Sequence, residues 1–292
     1  MNIIRIVLSI LAIGFMANAL GANAGIDALS AFKAGQYDIA RQGFRELHNS
    51  KPKDPQLTFY LARSLYLNQE LEEAETLLLK SLERFPDHAE SHYLLGSVQL
   101  TRVADVNIFR KAGMAKSAVK AWEQAVHLDP NHAEALYGVA SFYYSAPGIA
   151  GGDIDLGKKK LMDLEALSPP WAQLTRASIV MKDESYIEAE KLLKEAIEGI
   201  PGRAFPTLML ANLYLKQEDF ELALKTLKDY ELREKTWNDP GAAQTSLLAG
   251  KIYEGLDHRQ AAIEAYQLVL NEVTTPQLKK QAKEALEKLH SR

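Results

Sequence analysis

The chain contains no cysteine. That absence excludes disulfides, thiolate nucleophiles, cysteine metal sites and lipid attachment at an N-terminal cysteine, and it leaves the fold indifferent to an oxidising compartment. Charge of one sign is also lacking. Lys and Arg number 34 against 38 Asp and Glu, a formal net of −4, with no block long enough to serve as a footprint for phosphate backbones. Nucleic acid is not an expected partner. The seven histidines are scattered and no serine sits in a sharp Gly-flanked turn, so neither catalytic residues nor a cofactor or metal site is expected.

Long apolar runs are absent except at the start. Arg5 is the only charge among the first 24 residues, Ile6 to Leu20 is almost wholly apolar, and Ala22-Asn23-Ala24 offers small residues where a signal peptidase reads. This predicts a signal peptide over 1–24, cleaved after Ala24, and export, with a bacterial periplasm fitting best. The alternative, an uncleaved leader acting as a membrane anchor, meets a run that is short for a span and contains Ser9 and Asn18. Loss of Arg5 with the leader leaves 33 basic and 38 acidic residues, a mature charge of −5.

What fills the rest is a repeat. A frame of about 34 residues places a small residue in one amphipathic helix, an Ala twelve positions on in a second, and often a Pro twelve positions after that. It is clearest from Pro55 to Pro86, with Leu61-Ala62 and Leu65, then Ala74 and Leu78, and Asp87 placed to open the next helix. The frame recurs through Gly96, Ala118, Trp122 and Pro130, through Ala140, Gly157, Leu161 and Pro169, and through Ala177, Ala189, Leu193 and Pro201. Further units flank these around Ala40 and Phe44, around Ala211, Phe220 and Ala223, and around Gly250, Ala262 and Tyr266. In the sixth unit Tyr230 and Lys235 stand where small residues and Pro are usual, which predicts a second helix that runs on or packs loosely. Each helix pair is too small to bury its own apolar face, so small residues at the helix contact let neighbours nest. After the array, Thr275-Pro276 opens a helix with Leu278, Ala282, Ala285, Leu286 and Leu289 at helical spacing, read as a cap over 275–292.

This pattern resembles the tetratricopeptide-repeat family. The resemblance implies an all-α, right-handed superhelical solenoid of about seven helix pairs in residues 25–274, a concave face formed by the first helix of each pair, and the binding of peptides or protein segments. Two insertions interrupt the frame. One, near 102–116, adds ten residues between Gly96 and Ala118 and reads as an extension of the third pair, with Val106, Ile108 and Phe109 as a candidate docking surface. The other, near 146–153, adds five between Ala140 and Gly157 as Pro147-Gly-Ile-Ala-Gly-Gly-Asp153, in which Pro147 ends a helix and Asp153 caps the next. That insert is similar to one in poorly characterised exported bacterial repeat proteins.

Two chemical motifs fail on their own residues. Gly152 to Lys158 matches the spacing of a phosphate-binding loop, but Lys159 stands where Ser or Thr should hold magnesium, Asp153 and Asp155 repel phosphate, and a helix precedes it. His88, Glu90 and His92 have metal-ligand spacing, yet Asn131-His-Ala-Glu occupies the same frame as ordinary repeat-opening sequence.

Carrying the frame along the family's architecture puts Phe59, Arg63, Tyr66, Tyr93, Ser97, Tyr137, Ser141, Tyr144, Trp171, Ser178, Phe205 and Asn212 on the concave face. Aromatics that alternate with short polar groups suit an extended peptide, a helix or a glycan strand. The same aromatics can instead pack between helices. The expectation is a periplasmic adaptor for a segment of another envelope protein, with no membrane contact except through that partner or an uncleaved leader. A small-molecule or glycan-binding accessory is the alternative.

Overall fold

The computed structural model describes residues 27–104, 106–236 and 238–291. The expected leader lies outside the described residues. No strand forms among those described, and no helix among them is long and apolar enough to cross a membrane. The chain divides after Val98 into two compact units.

The first unit holds α1 (27–33), α2 (Tyr37–Ser50), α3 (Pro55–Leu67), α4 (Leu71–Arg84) and most of α5 (Ala89–Arg102). Its helix contacts are made by the small residues of the frame. Ala40, Ala62 and Ala74 are fully buried, and Phe44 stacks on Tyr60 at 5.1 Å. Asp54 caps α3 by accepting from the amides of Gln56 (2.9 Å) and Leu57 (3.2 Å). At α5 it is the His88 ring, not the expected Asp87, that accepts from the Ser91 amide (3.2 Å).

The second unit continues with α6 (Ile108–Leu128), α7 (Ala133–Ser145), α8 (Ile154–Leu167), α9 (Pro169–Lys182), α10 (Tyr186–Gly199), α11 (Phe205–Lys216), α12 (Phe220–Leu232), α13 (Ala242–Gly255), α14 (Arg259–Asn271) and α15 (Pro276–His290). The fifteen helices of the described residues thus run as seven pairs and a final helix. That last helix buries Ala282, Leu286 and Leu289 against α13 and α14 and so covers an apolar face that would otherwise meet water.

Most turns within a pair close on one left-handed residue. Gly35, Gln69, Gly151, Glu184, Glu218 and Asp257 all have positive φ. In the turn after α3, the Glu70 amide reaches back to the Leu65 carbonyl (2.9 Å), the bond that satisfies an orphan carbonyl at a helix end. The turns after α11 and α13 repeat it.

Both insertions take regular form. The first lengthens α6 to 21 residues. In the second, Pro147 follows the end of α7, Gly148–Ala150 make one 3-10 turn, and Asp153 caps α8 by accepting from the Leu156 amide (3.0 Å). A Cβ on Gly152 would lie 1.8 Å from the Ala146 carbonyl oxygen, so only glycine closes this loop.

The expectation for the sixth unit is overturned. α12 stops at Leu232 and Tyr230 is 0 % exposed. The segment after it folds back, so the phenol donates to the Pro240 carbonyl and a large residue fills the space that a small one leaves open elsewhere.

Candidate functional site

The residues expected on the concave face fall into tiers set by their place along the first helices. Phe59, Tyr93, Tyr137, Trp171 and Phe205 share one frame position. Phe59, Tyr93 and Trp171 are buried, while Tyr137 and Phe205 are half-buried. One and two turns on, Arg63, Tyr66, Ser97, Ser141, Tyr144 and Ser178 are half-buried and Asn212 is exposed. Burial gives the aromatic tier a packing role, and the later tiers keep access to solvent.

In the first unit Phe59 meets Tyr60 and His88 edge-on or tilted, and the Arg63 guanidinium lies over the Phe32 ring at 4.6 Å. Burial lowers the His88 pKa. The His88 ring caps α5, and the His92 Nε2 hydrogen-bonds the Pro86 carbonyl (2.7 Å), so both rings of the suspected metal motif are engaged. No cluster of three or more potential metal ligands exists among the described residues.

In the second unit the Tyr137 ring lies between two others, tilted against Trp171 at 5.3 Å and edge-on to Phe205 at 6.4 Å between centroids. Arg203 covers them, its guanidinium 5.3 Å from the Trp171 ring centroid. Arg203 pairs with Glu134 at the start of α7 and stands 3.7 Å from Asp239, whose side chain is 0 % exposed. Asp239 in turn accepts from the Phe205 amide (2.9 Å), the Thr236 amide (2.7 Å) and the Thr236 hydroxyl (2.8 Å), and Asn238 donates to Glu134 (2.6 Å). Thr236, Asn238 and Asp239 are thereby pinned over the N-terminal ends of α7 and α11. Burial pushes the Tyr137 phenol up to about 12, against a smaller opposing effect of its hydrogen bond to Ser141.

Beyond that seal the first helices present small polar groups. The Ser141 and Thr175 hydroxyls lie 3.4 Å apart, Ser178 donates to the Leu174 carbonyl and Asn212 to the Leu208 carbonyl. These side chains turn back onto their own helices and give α7, α9 and α11 a row of short hydrogen-bonding groups.

The pair α6/α7 departs from this. A cavity of about 690 Å³ opens between the end of α5, the start of α6, α7 and the 146–150 loop. Leu100 and Val103 form one wall, Ala112 and Ala115 a second, and Pro147 and Ile149 a third. Trp122 lies against α7 at Gly138, where a Cβ would come within 3.0 Å of the indole, so the glycine lets a flat ring form part of the wall. Of the residues expected on the concave face, only Tyr137 and Ser141 line the cavity. Trp122 was read only as a frame residue and Ile149 only as part of the second insert, while Ala112 and Phe142 carried no motif. The signal that pointed to them was the pair of interruptions in the frame, since the extended α6 and the second insert supply two of the walls.

The docking surface expected at the first insertion is only partly formed. Phe109 is 93 % exposed and Val106 half-buried, and the Ile108 side chain is outside what the structure describes. The phosphate-loop spacing at Gly152 has no phosphate cradle. The amides of Gly151, Gly152 and Asp153 donate to the carbonyls of Gly148, Pro147 and Tyr143, all within 3.1 Å.

Two family models match, both described as tetratricopeptide repeat, one over residues 31–98 and the other over 103–151 and 208–277. No curated protein matches the chain by sequence. Among solved structures the chain is similar to a tetratricopeptide repeat protein from Parabacteroides merdae, at 15 % identity and a TM-score of 0.57 over 93 % of this chain and 99 % of that one. A thermophilic TPR protein of Thermus thermophilus gives 19 % identity and a TM-score of 0.56 over 67 % of this chain and 99 % of that one. The human IFIT1 dimer with PPP-AAAA gives 19 % and 0.56 over 86 % of this chain and 55 % of that one. Identities this low show the fold alone. With the two models together matching well over half of its length and the same helix-pair architecture in these neighbours, the chain belongs to the tetratricopeptide-repeat proteins.

Proposed function

We propose that this protein is an exported, periplasmic scaffold that holds a segment of another envelope protein across the first helices of its second unit. Tetratricopeptide repeats are protein-interaction scaffolds, and proteins of this kind are generally non-catalytic. The observation that carries the reading is the accessible tier Ser141, Tyr144, Ser178 and Asn212, which repeats hydrogen-bonding groups on consecutive first helices while the aromatics beneath are locked in packing. A rigid surface of short polar side chains orders little on binding and so loses little entropy to an extended partner. The apolar leader and the likeness of the Pro147–Asp153 insert to exported bacterial repeat proteins support the compartment.

A photo-reactive residue at Ser178 or Asn212, compared with one at the exposed Met162 of α8, tests the surface in living cells. Adducts to one envelope protein at the first two positions and none at the third are expected. Equal labelling at all three would remove the argument for this face. A chain beginning at Gly25 in the periplasmic fraction is the matching result for export, and an unprocessed cytoplasmic chain would overturn it.

The apolar cavity favours a second reading, in which the same protein binds a small apolar molecule. Its walls offer little to a glycan, which needs paired hydrogen-bonding groups.

A further inference from the structure

We infer that the cavity between α5, α6, α7 and the 146–150 loop binds the alkyl chain of a long-chain fatty acid, with the carboxylate held at a cationic mouth. This does not rest on the protein-partner reading, which uses the tier on α7, α9 and α11.

Three observations lead to that ligand. First, the cavity is of ligand size, about 690 Å³, and carbon-lined, with Leu100, Val103, Trp122, Phe142 and Ile149 among its walls. A void of this kind forfeits contacts that an apolar occupant restores, and each methylene taken from water adds affinity. Second, it has an apolar lip at the lining residue Ile149, with Phe109 two positions before the lining Lys111. Phe109 and Ile149 are 93 % and 80 % exposed, large side chains that otherwise cost solubility, at the start of α6 and in the loop that closes the cavity.

Third, the charge at the mouth is opposite to that of the chain. The formal net charge is −4, yet no Asp or Glu of the described residues lines the cavity, whereas Lys111 does. Lys182 places its amino group 3.5 Å from the Ser145 hydroxyl, a lining group, and the Lys116 stem runs beside Gly151 at the loop. Glu123, which accepts from the Tyr143 phenol (2.7 Å), and Asp153, which caps α8, do not line the cavity. Lys111 makes no ion pair among the described residues. An anionic head with a single chain matches both the lining and the rim, and a neutral or cationic amphiphile matches only the lining.

Trp122 supplies the readout. Monomeric 9,10-dibromostearate added to the purified chain should quench tryptophan emission, and Trp122→Phe should remove most of that quenching; binding is read separately with fluorescent cis-parinarate. Ala112→Phe and Ala150→Phe each put a ring into the cavity and should weaken parinarate binding by about tenfold or more with unchanged melting temperature. Either variant suffices if the other fails to fold. Lys111→Glu should weaken it by about fivefold, and dodecyl sulfate should compete better than dodecyltrimethylammonium. No quenching in the folded chain would overturn the assignment, as would quenching that survives both filling variants or equal competition by the two detergents. Association with phosphatidylglycerol vesicles without uptake of monomeric dibromostearate would also overturn it, because the lip would then be a membrane contact and not the entrance to a chain-binding site.

Discussion

Within the second unit, the pairs α9/α10 and α11/α12 keep the repeat frame and the α6–α8 region breaks it, and the two regions differ in what their interiors contain. Where the frame holds, Ala177, Ala189, Leu193, Ala196, Ala211 and Leu213 are fully buried in one continuous core, and the first helices keep Ser178 and Asn212 open to solvent. Where ten and five residues intrude, α6 is lengthened, a glycine-dependent loop replaces a plain turn, and an apolar cavity opens. Regular spacing specifies packing and spends its large side chains on stability. A departure from it leaves large side chains without helix partners, and that is where a concave apolar site becomes available.

Removing the charge that seals the regular region should have the largest effect. Arg203→Met leaves the fully buried Asp239 without its cation, and stability should fall by about 3 kcal/mol in urea denaturation. An unchanged midpoint would mean that the three hydrogen bonds to Asp239 hold its side chain in place by themselves.

A matched pair of enlargements comes next. Ala189→Leu inserts three carbons at a fully buried helix contact and should cost about 2 kcal/mol by overpacking. Ala112→Leu adds the same carbons to the cavity wall and should stay within about 0.5 kcal/mol of the parent. Equal losses would show that the cavity walls are as tightly constrained as the regular core.

Tyr137 belongs to both regions, packing at a tilt against Trp171 and lining the cavity, and its titration sharpens the contrast. Its phenol is raised to about 12 by burial, so the folded state keeps a proton that the unfolded state releases near pH 10. Below pH 10 both states are protonated and this group contributes no slope. From about pH 10 to 12 it lowers stability by up to about 1.4 kcal/mol per pH unit, and Tyr137→Phe should reduce the steepness of alkaline melting there. Tyr37, Tyr143, Tyr214, Tyr230 and Tyr266 are raised by burial as well and will supply what slope remains.

The sequence made the helix pairs legible because the small residues that must lie at helix contacts recur in phase: Ala74, Ala118 and Ala189 are all fully buried. The caps at Asp153 and Thr275 were readable for a similar reason, since an oxygen-bearing side chain before a helix has one evident use. The depth of the concave face was not. Frame position tells which way Tyr137, Trp171 and Phe205 point, but their burial depends on Arg203 and on Asn238, which reaches Glu134 from 104 residues further along the chain. A repeat analysis treats this part of the chain as a defect of the sixth unit. Likewise the two insertions were visible as interruptions, while their convergence on one cavity is a fact of three-dimensional packing.

The smallest expected effect concerns the turns that make the regular pairs regular. Gln69, Glu184, Glu218 and Asp257 adopt left-handed φ between 56° and 61°, where a Cβ crowds the following carbonyl, whereas Gly35 and Gly151 meet the same demand without that clash. Glycine at Glu218 removes the clash but adds entropy to the unfolded chain, so the two effects nearly offset and Glu218→Gly should gain only about 0.5 kcal/mol. Asp257→Gly should gain less, because aspartate tolerates this conformation better than glutamate does. The reverse change, Gly151→Ala, imports the clash into the loop that walls the cavity and adds a contact 3.2 Å from the Lys116 stem. If the turns are interchangeable, thermal melting of Glu218→Gly and Gly151→Ala will move by similar amounts in opposite directions. A larger loss for Gly151→Ala would show that the interrupted region depends on its glycine more than the regular region suffers from lacking one.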